Sequence, residues 1–250
     1  MATEVEKFAI TLPPELSIAL KTEPLFWRHL SSGAGHFIFW VINMDLQSAT
    51  SDPSHSGDAV SFDDEPLIIV DTQDQILGHG SKAALHQGTG TLHRAFSIFL
   101  FNSAGELLLQ QRSAEKPLWP RYWSNTCCSH PRRGESYGVA TQRRLREELE
   151  IETPLWFTHR FRYQAQFGQH GAEHELCSVY VGLFDGTPTP NPREISDWQW
   201  IQPAELDRWL DETPETLTPW FKLEWADLRS GRHAEILENI GLHWSRKSEQ

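Results

Sequence analysis

A chain of 250 residues with 39% hydrophobic residues can form one large domain, or one domain with an appendage. Its formal net charge of -12 excludes a general surface for nucleic acid or anionic membrane. Three cysteines, two of them adjacent, make no disulfide framework and point to a reducing compartment.

In chain order, the N-terminal stretch Met1–Lys7 is acidic and lacks the charge-then-apolar order of a signal peptide. Glu4, Glu6, Glu15 and Glu23 also weigh against a transit peptide. The longest apolar run, Phe37–Ile42 with Met44 just beyond, falls far short of the roughly 20 residues that span a bilayer. A soluble, cytoplasmic protein is expected. Pro14–Leu20 and Leu25–Leu30 read as short helical turns, and Phe37–Met44 as a strand or buried turn. Ser48–Asp64 is rich in Ser, Asp, Gly and His without a period, so Gln47–Glu65 is expected to be a linker or disordered. Residues 1–65 are thus assigned to a weakly ordered extension and residues 66–245 to the folded domain.

Regular structure is expected from Leu67. Leu67–Asp71 and Gln75–Gly78 flank Thr72-Gln73-Asp74 as a hairpin, and Ser81 opens a helical turn to His86. After the break at Gly88-Thr89-Gly90, Ala95–Phe101 and Glu106–Gln111 form a second hairpin. Arg112–Arg133, with prolines at 117, 120 and 131, reads as irregular, and Asn125-Thr126-Cys127-Cys128-Ser129-His130-Pro131 within it as a turn. The helix Gly138–Leu149 places Val139, Leu145 and Leu149 on one side. Trp156–Gln166, Leu176–Phe184 and Asp197–Ile201 read as strands. Pro203–Leu210 and Pro219–Arg229 are helices with proline in the first turn, and Ala234–Ile240 closes the fold. Interspersed strands and helices of this kind indicate an α/β sandwich with a mixed sheet flanked by helices.

The run Ser129-x5-Glu135-x7-Arg143-Arg144-Leu145-x-Glu147-Glu148-x-Glu150-Ile151 resembles the Nudix box, a loop–helix–loop whose glutamates hold divalent metal against a diphosphate. It departs from that pattern at Ser129 and Glu150, where glycines are usual, and at Arg144, where a hydrolase has a metal-binding glutamate. The replacement at Arg144 argues against hydrolysis. A glutamate at position 150 would strain a left-handed cap, so the helix is expected to end differently. Taken together, Leu92-His93-Arg94-Ala95-Phe96, Asn125–Pro131 and Glu173-His174-Glu175-Leu176-Cys177 resemble type I isopentenyl-diphosphate isomerases over about Leu67 to Leu228. That resemblance implies a Nudix-like fold and a metal-dependent allylic isomerisation in isoprenoid biosynthesis.

The resemblance, with ligand chemistry, makes His86, His93, His130, Glu173 and Glu175 a metal site. Three nitrogens with carboxylate oxygens suit zinc or manganese, with magnesium as a further candidate. In a strand, Glu173 and Glu175 project to one face and His174 to the other. Cys128 and Glu175 are the implied acid/base pair, Tyr163 the partner of the acid, and Trp220 the aromatic face for a carbocation, with Phe96 in the same pocket. A cation nearby would favour thiolate at Cys128. Lys82, Arg112, Lys116 and Arg144 occupy the family positions for the diphosphate. A second ion, magnesium, is implied between the diphosphate, Glu148 and the backbone carbonyl of Cys128. Arg143 is expected only to brace the helix, and Cys127 and Cys177 to be structural thiols. The other readings weighed are a Nudix hydrolase of a nucleoside diphosphate derivative and a non-catalytic zinc or thiol-sensing module. An interaction segment in residues 1–65, tethering the enzyme to a prenyl synthase, is a further candidate role.

Overall fold

Alternating apolar residues in β-branched and aromatic runs build a sheet, and helices cover both of its faces. The computed structural model describes residues 58–230 and 234–241. The turns expected at 14–20 and 25–30, the strand at 37–44 and the tethering role of the N-terminal segment lie outside them. No helix among the described residues is long and apolar enough to cross a membrane.

β1 (Pro66–Val70) and β2 (Ile76–Ser81) form the first antiparallel hairpin, and Ile69 of β1 lies opposite His93. α1 (Lys82–Leu85) starts at Ser81, whose side chain accepts the N–H of Ala84, as expected. β3 (His93–Phe101) is the central strand. β4 (Leu107–Arg112) follows it round the Asn102–Gly105 corner, but the two pair only at Phe101 and Leu107. β4 then turns away to pair with β5 (Trp123–Ser124) and β9 (Ile195–Ile201). β3 instead takes β6 (Cys127–Ser129) antiparallel and β8 (Gly171–Leu183) in parallel. β7 (Leu155–Phe167) pairs antiparallel with β8.

One face of the sheet packs on α2 (Tyr137–Leu149), with Phe96, Ile98, Leu100 and Cys127 against Ala140, Leu145 and Leu149. The other packs on α3 (Pro203–Glu212), α4 (Pro219–Arg229) and α5 (Ala234–Asn239), with Phe99, Val179 and Val181 against Phe221, Trp225 and Leu228. The expected sandwich with a mixed sheet is the observed one.

Four local expectations are corrected. The cysteine motif is a strand: pairing with β3 fixes Cys127–Ser129, and the prolines lie outside the paired residues. Val139 is 58% exposed, because the buried stripe of α2 runs through Ala140, Arg144, Leu145, Glu148 and Leu149. That stripe contains an ion pair that a hydrophobic period cannot register. Glu150 does adopt the left-handed cap, at φ 55, and the N–H of Ile151 bonds to the Leu145 carbonyl at 3.2 Å. Burial of Ile151 beside Leu145 offsets the strain of about 1 kcal/mol at a non-glycine residue. Residues 58–65, placed in the linker by composition, pack on the domain. The Val60 carbonyl accepts Arg144 Nη1 at 2.7 Å, and buried Glu65 pairs with Arg132 at 2.9 Å.

The loop carrying His86 rests on the β7–β8 hairpin. Gln164 donates to the Thr89 carbonyl and Gln166 to that of Gly88, while the Ala172 N–H donates to the His86 carbonyl at 2.9 Å. Gly171, at φ +144, permits this approach: a Cβ there would lie 2.4 Å from the His86 carbonyl oxygen. Gly171→Ala is therefore expected to cost about 2 kcal/mol, measured as a lower urea midpoint. An unchanged midpoint would show that the loop does not depend on this contact.

Candidate active site

Strand alternation assembles the site. His93 lies opposite Glu175, and Ser97 opposite Cys128. With a period of two, His93, Cys128, His130, Glu173 and Glu175 all face the side of the sheet that packs on α4. Tyr163 lies opposite Glu175 from β7 and joins them. Cys127 lies opposite Ile98 on the α2 face, where its thiol approaches Glu148 at 3.5 Å. Adjacent cysteines thus serve different faces, and all three cysteines are free.

The donor atoms of His86, His93, His130, Glu173 and Glu175 lie within 4.8 Å of one another. His86 Nδ1 is 2.7 Å from the Lys82 carbonyl and His93 Nδ1 is 2.7 Å from that of Thr91. A carbonyl only accepts, so both hydrogens sit on Nδ1 and both Nε2 lone pairs point inward. His86 Nε2 is 2.8 Å from Glu173 Oε2, yet that oxygen accepts no hydrogen bond; His93 Nε2 is likewise buried without a partner. His130 Nε2 lies 2.9 Å from Glu175 Oε1. Three imidazoles facing two carboxylates, all buried or nearly so, with His93 Nε2 and Glu173 Oε2 lacking hydrogen bonds, form a donor set that a divalent cation satisfies, and the group is able to hold one. The donors are nitrogen and oxygen only, which runs against a sulfur-ligated sensing module.

Electrostatics agree. Burial and the neighbouring imidazoles pull His93 down to about 4 and His130 well below its ordinary value, so both are neutral ligands at pH 7. Burial opposes a charge on His86, but Glu173 beside it outweighs this and leaves its pKa raised. Burial and Glu173 push Glu175 up, while His86 outweighs burial and holds Glu173 down. Two carboxyls this close do not both ionise without a cation between them. Tyr163 donates to Glu175 Oε2 at 2.6 Å. Burial pushes Cys128 up to about 12, against the pull of Arg112, whose Nη1 is 3.9 Å from Sγ. Burial thus works against the thiolate that a nearby cation would favour.

These groups open on a cavity of about 550 Å³. Cys128, Tyr163, Leu118, Trp220 and Arg112 are among the residues that line it, together with Lys82, Lys116, Arg144 and Arg193. Trp220 is buried, with the Arg112 guanidinium 5.3 Å from its ring centroid and Trp119 edge-on at 5.3 Å. Arg112 is itself fixed by the carbonyls of Leu118 and Trp119.

Two expected residues stand elsewhere. Phe96 is fully buried on the α2 face, three residues from His93 along a strand, so it cannot share the pocket. Glu148 is buried behind Arg144, whose Nη2 holds its Oε1 at 2.5 Å, and it does not line the cavity. Arg143 braces the helix, as expected, through Glu135 at 2.7 Å and Glu147 at 3.1 Å. Sequence reasoning missed Glu194, a buried carboxylate joined to Lys116 Nζ and 3.2 Å from Arg144 Nη2. It missed Arg193 at the cavity wall as well. No local pattern marks Glu194, because its partners Lys116 and Arg144 are remote in sequence.

Comparison with known proteins agrees with this geometry. The NUDIX domain family model matches residues 91–221. An isopentenyl-diphosphate Delta-isomerase of Serratia proteamaculans is 46% identical over 165 residues, covering 66% of this chain and 92% of that protein. Isopentenyl-diphosphate Delta-isomerase 1 of Photorhabdus laumondii is 43% identical over 167 residues, covering 66% of this chain and 94% of that protein. Among solved structures, the DR0079 protein of Deinococcus radiodurans aligns at a TM-score of 0.50 and 26% identity, over 60% of this chain and 90% of that one. The chain belongs to the NUDIX domain family and, within it, to the isopentenyl-diphosphate Delta-isomerases.

Proposed function

We propose that this cavity interconverts isopentenyl diphosphate and dimethylallyl diphosphate. The reaction moves a carbon–carbon double bond: a proton is added at the terminal alkene carbon and another is removed from C2. The observation that carries the reading is the placement of Cys128 and the Tyr163–Glu175 pair on the wall of one cavity that cationic side chains also line.

Cys128, whose thiol form burial favours, and Glu175, bonded by the Tyr163 hydroxyl, are the two groups that exchange protons with the substrate. Trp220 presents its ring to the cationic carbon between the two transfers, worth about 0.5–2 kcal/mol in a desolvated setting. Lys82, Lys116, Arg112 and Arg144 orient the diphosphate and keep the alkene against the aromatic wall. His86, His93, His130, Glu173 and Glu175 would hold a zinc or manganese ion, which supplies positive charge beside Glu175 and so favours its ionised form. Magnesium entering with the diphosphate would find the Cys128 carbonyl, and Glu148 only once Arg144 releases Oε1. A reducing compartment such as the cytoplasm keeps the cysteines free.

The hydrolase alternative gains nothing from the geometry, because Arg144 and Glu148 neutralise each other on the helix where a Nudix hydrolase gathers metal. Incubation of the purified protein with isopentenyl diphosphate in deuterated water tests the reading. Deuterium appearing by NMR in the methyl group of dimethylallyl diphosphate is expected; phosphate release from nucleoside diphosphate derivatives without label entry would refute it.

Two substitutions probe the opposed cysteines. Cys128→Ala is expected to lower turnover by about a thousandfold with metal content and unfolding midpoint unchanged. Cys127→Ala, on the α2 face, is expected to cost about 1 kcal/mol of stability and little activity. Equal losses from both would contradict the assignment to opposite faces. Glu175→Gln is expected to lower both turnover and retained metal, read separately by the label assay and elemental analysis; full metal with full turnover would remove Glu175 from the mechanism.

A further inference from the structure

Glu224 is a carboxyl group with no exposed surface, set on α4 one helical turn beyond Trp220 among the buried residues of that helix. Its Oε2 accepts no hydrogen bond. Its Oε1 lies 3.5 Å from Cys177 Sγ, and the Ser97 hydroxyl is close enough to favour the charged carboxylate. Cys177 Sγ is in turn 3.5 Å from Ser97 Oγ. Burial pushes the carboxyl up to about 7.

Stability does not account for this residue. A buried carboxyl with an orphaned oxygen costs about 1–3 kcal/mol, and an apolar side chain of similar size in such a place is commonly neutral or better. What distinguishes Glu224 is what it joins. Cys177 is two residues beyond Glu175 on the same face of β8. Ser97 shares a face of β3 with His93 and lies opposite Cys128. Trp220 precedes Glu224 on the same side of α4. One carboxyl therefore links the helix carrying the cavity's tryptophan to the strand of Glu175 and to the strand that positions Cys128.

We propose that Glu224 is a positioning residue for the isomerisation: through Ser97 and Cys177 it fixes α4, and with it the Trp220 ring, against the two proton-transferring groups. This rests on the isomerase reading of the cavity. Glu224 does not line the cavity, and its link to the metal donors is the charge it sets near Glu175, so the expected effect is on the reacting groups, with substrate binding unchanged. Misplacing a catalytic surface by about 1 Å can cost up to about a hundredfold in rate.

The test compares the full chain with Glu224→Met, Glu224→Gln and the Ser97→Ala/Cys177→Ala double variant in the deuterium-incorporation assay, with KM, metal content and urea midpoint measured on each. Glu224→Met is expected to keep or raise the midpoint, keep its metal and its KM, and lose about tenfold or more in kcat. Glu224→Gln, whose amide carbonyl still accepts from Cys177, is expected to stay within about threefold of the parent. The double variant, which strips the carboxyl of its partners without touching α4, is expected to match Glu224→Met. An unimpaired Glu224→Met, an unfolded one, or a Gln variant as impaired as Met would overturn the proposal. A parent enzyme that turned nothing over would instead sink the isomerase reading.

Discussion

His93 faces Glu175 across the parallel pairing of β3 and β8, and Cys128 faces Ser97 across the antiparallel pairing of β3 and β6. Because successive side chains leave a strand on opposite faces, these two registers decide which groups meet. A slip of one residue in either would carry its chemical groups through the sheet to α2. The same strands change character along their length. On β3 the face that begins with His93 continues into Phe99 and Phe101, and on β8 the face of Glu173 and Glu175 continues into Val179 and Val181. The apolar residues bury against α4 and hold the register. The polar ones stand at the open end of that packed face, where α1 and its loop deliver His86.

Charge inside the cavity wall is balanced before any substrate arrives. Arg144 is buried between Glu148 and Glu194, and Glu194 also takes Lys116. Ion pairs this dry gain little net stability, since desolvation offsets most of the attraction. Their effect is geometric: they hold cationic ends at fixed places on one wall. Lys82 shows how crowded that wall is. Burial, and then the charge of Lys116, pull it down to about 8. Added negative charge there relieves repulsion, whereas Tyr163, Leu118 and Trp220, which line the same cavity, suit a short hydrocarbon.

Much of this was legible from residue order, and the remainder was not for identifiable reasons. Glu173 and Glu175 could be placed on one face because alternation in a long strand is a local property. The Ser81 cap was readable for the same reason. The motif around Cys128 misled because a three-residue strand has no period of its own; only its partner β3 makes it a strand. Phe96 was misplaced despite a usable rule, since a residue three beyond His93 on a strand must face the other way. Glu194 and Glu224 carry no signature at all. Lys116 and Glu194 are 78 residues apart, and Cys177 and Glu224 are 47 apart. Buried polar groups with remote partners become visible only when the chain is folded.

Arg144 connects the fold to the choice of reaction. A carboxylate there would leave α2 with acidic oxygens free to gather metal, whereas the guanidinium occupies Glu148 Oε1 and reaches the Val60 carbonyl and Glu194 as well. Negative charge on the inner side of that helix is thereby answered within the protein. Among the described residues, the grouped metal-binding atom types are on the sheet side, where His93 Nε2 and Glu173 Oε2 are buried without a hydrogen bond. A cation held by those donors would place its charge beside Glu175, one of the five groups that would bind it. Such a charge would act on the proton affinity of that carboxylate, a quantity on which a double-bond transposition depends.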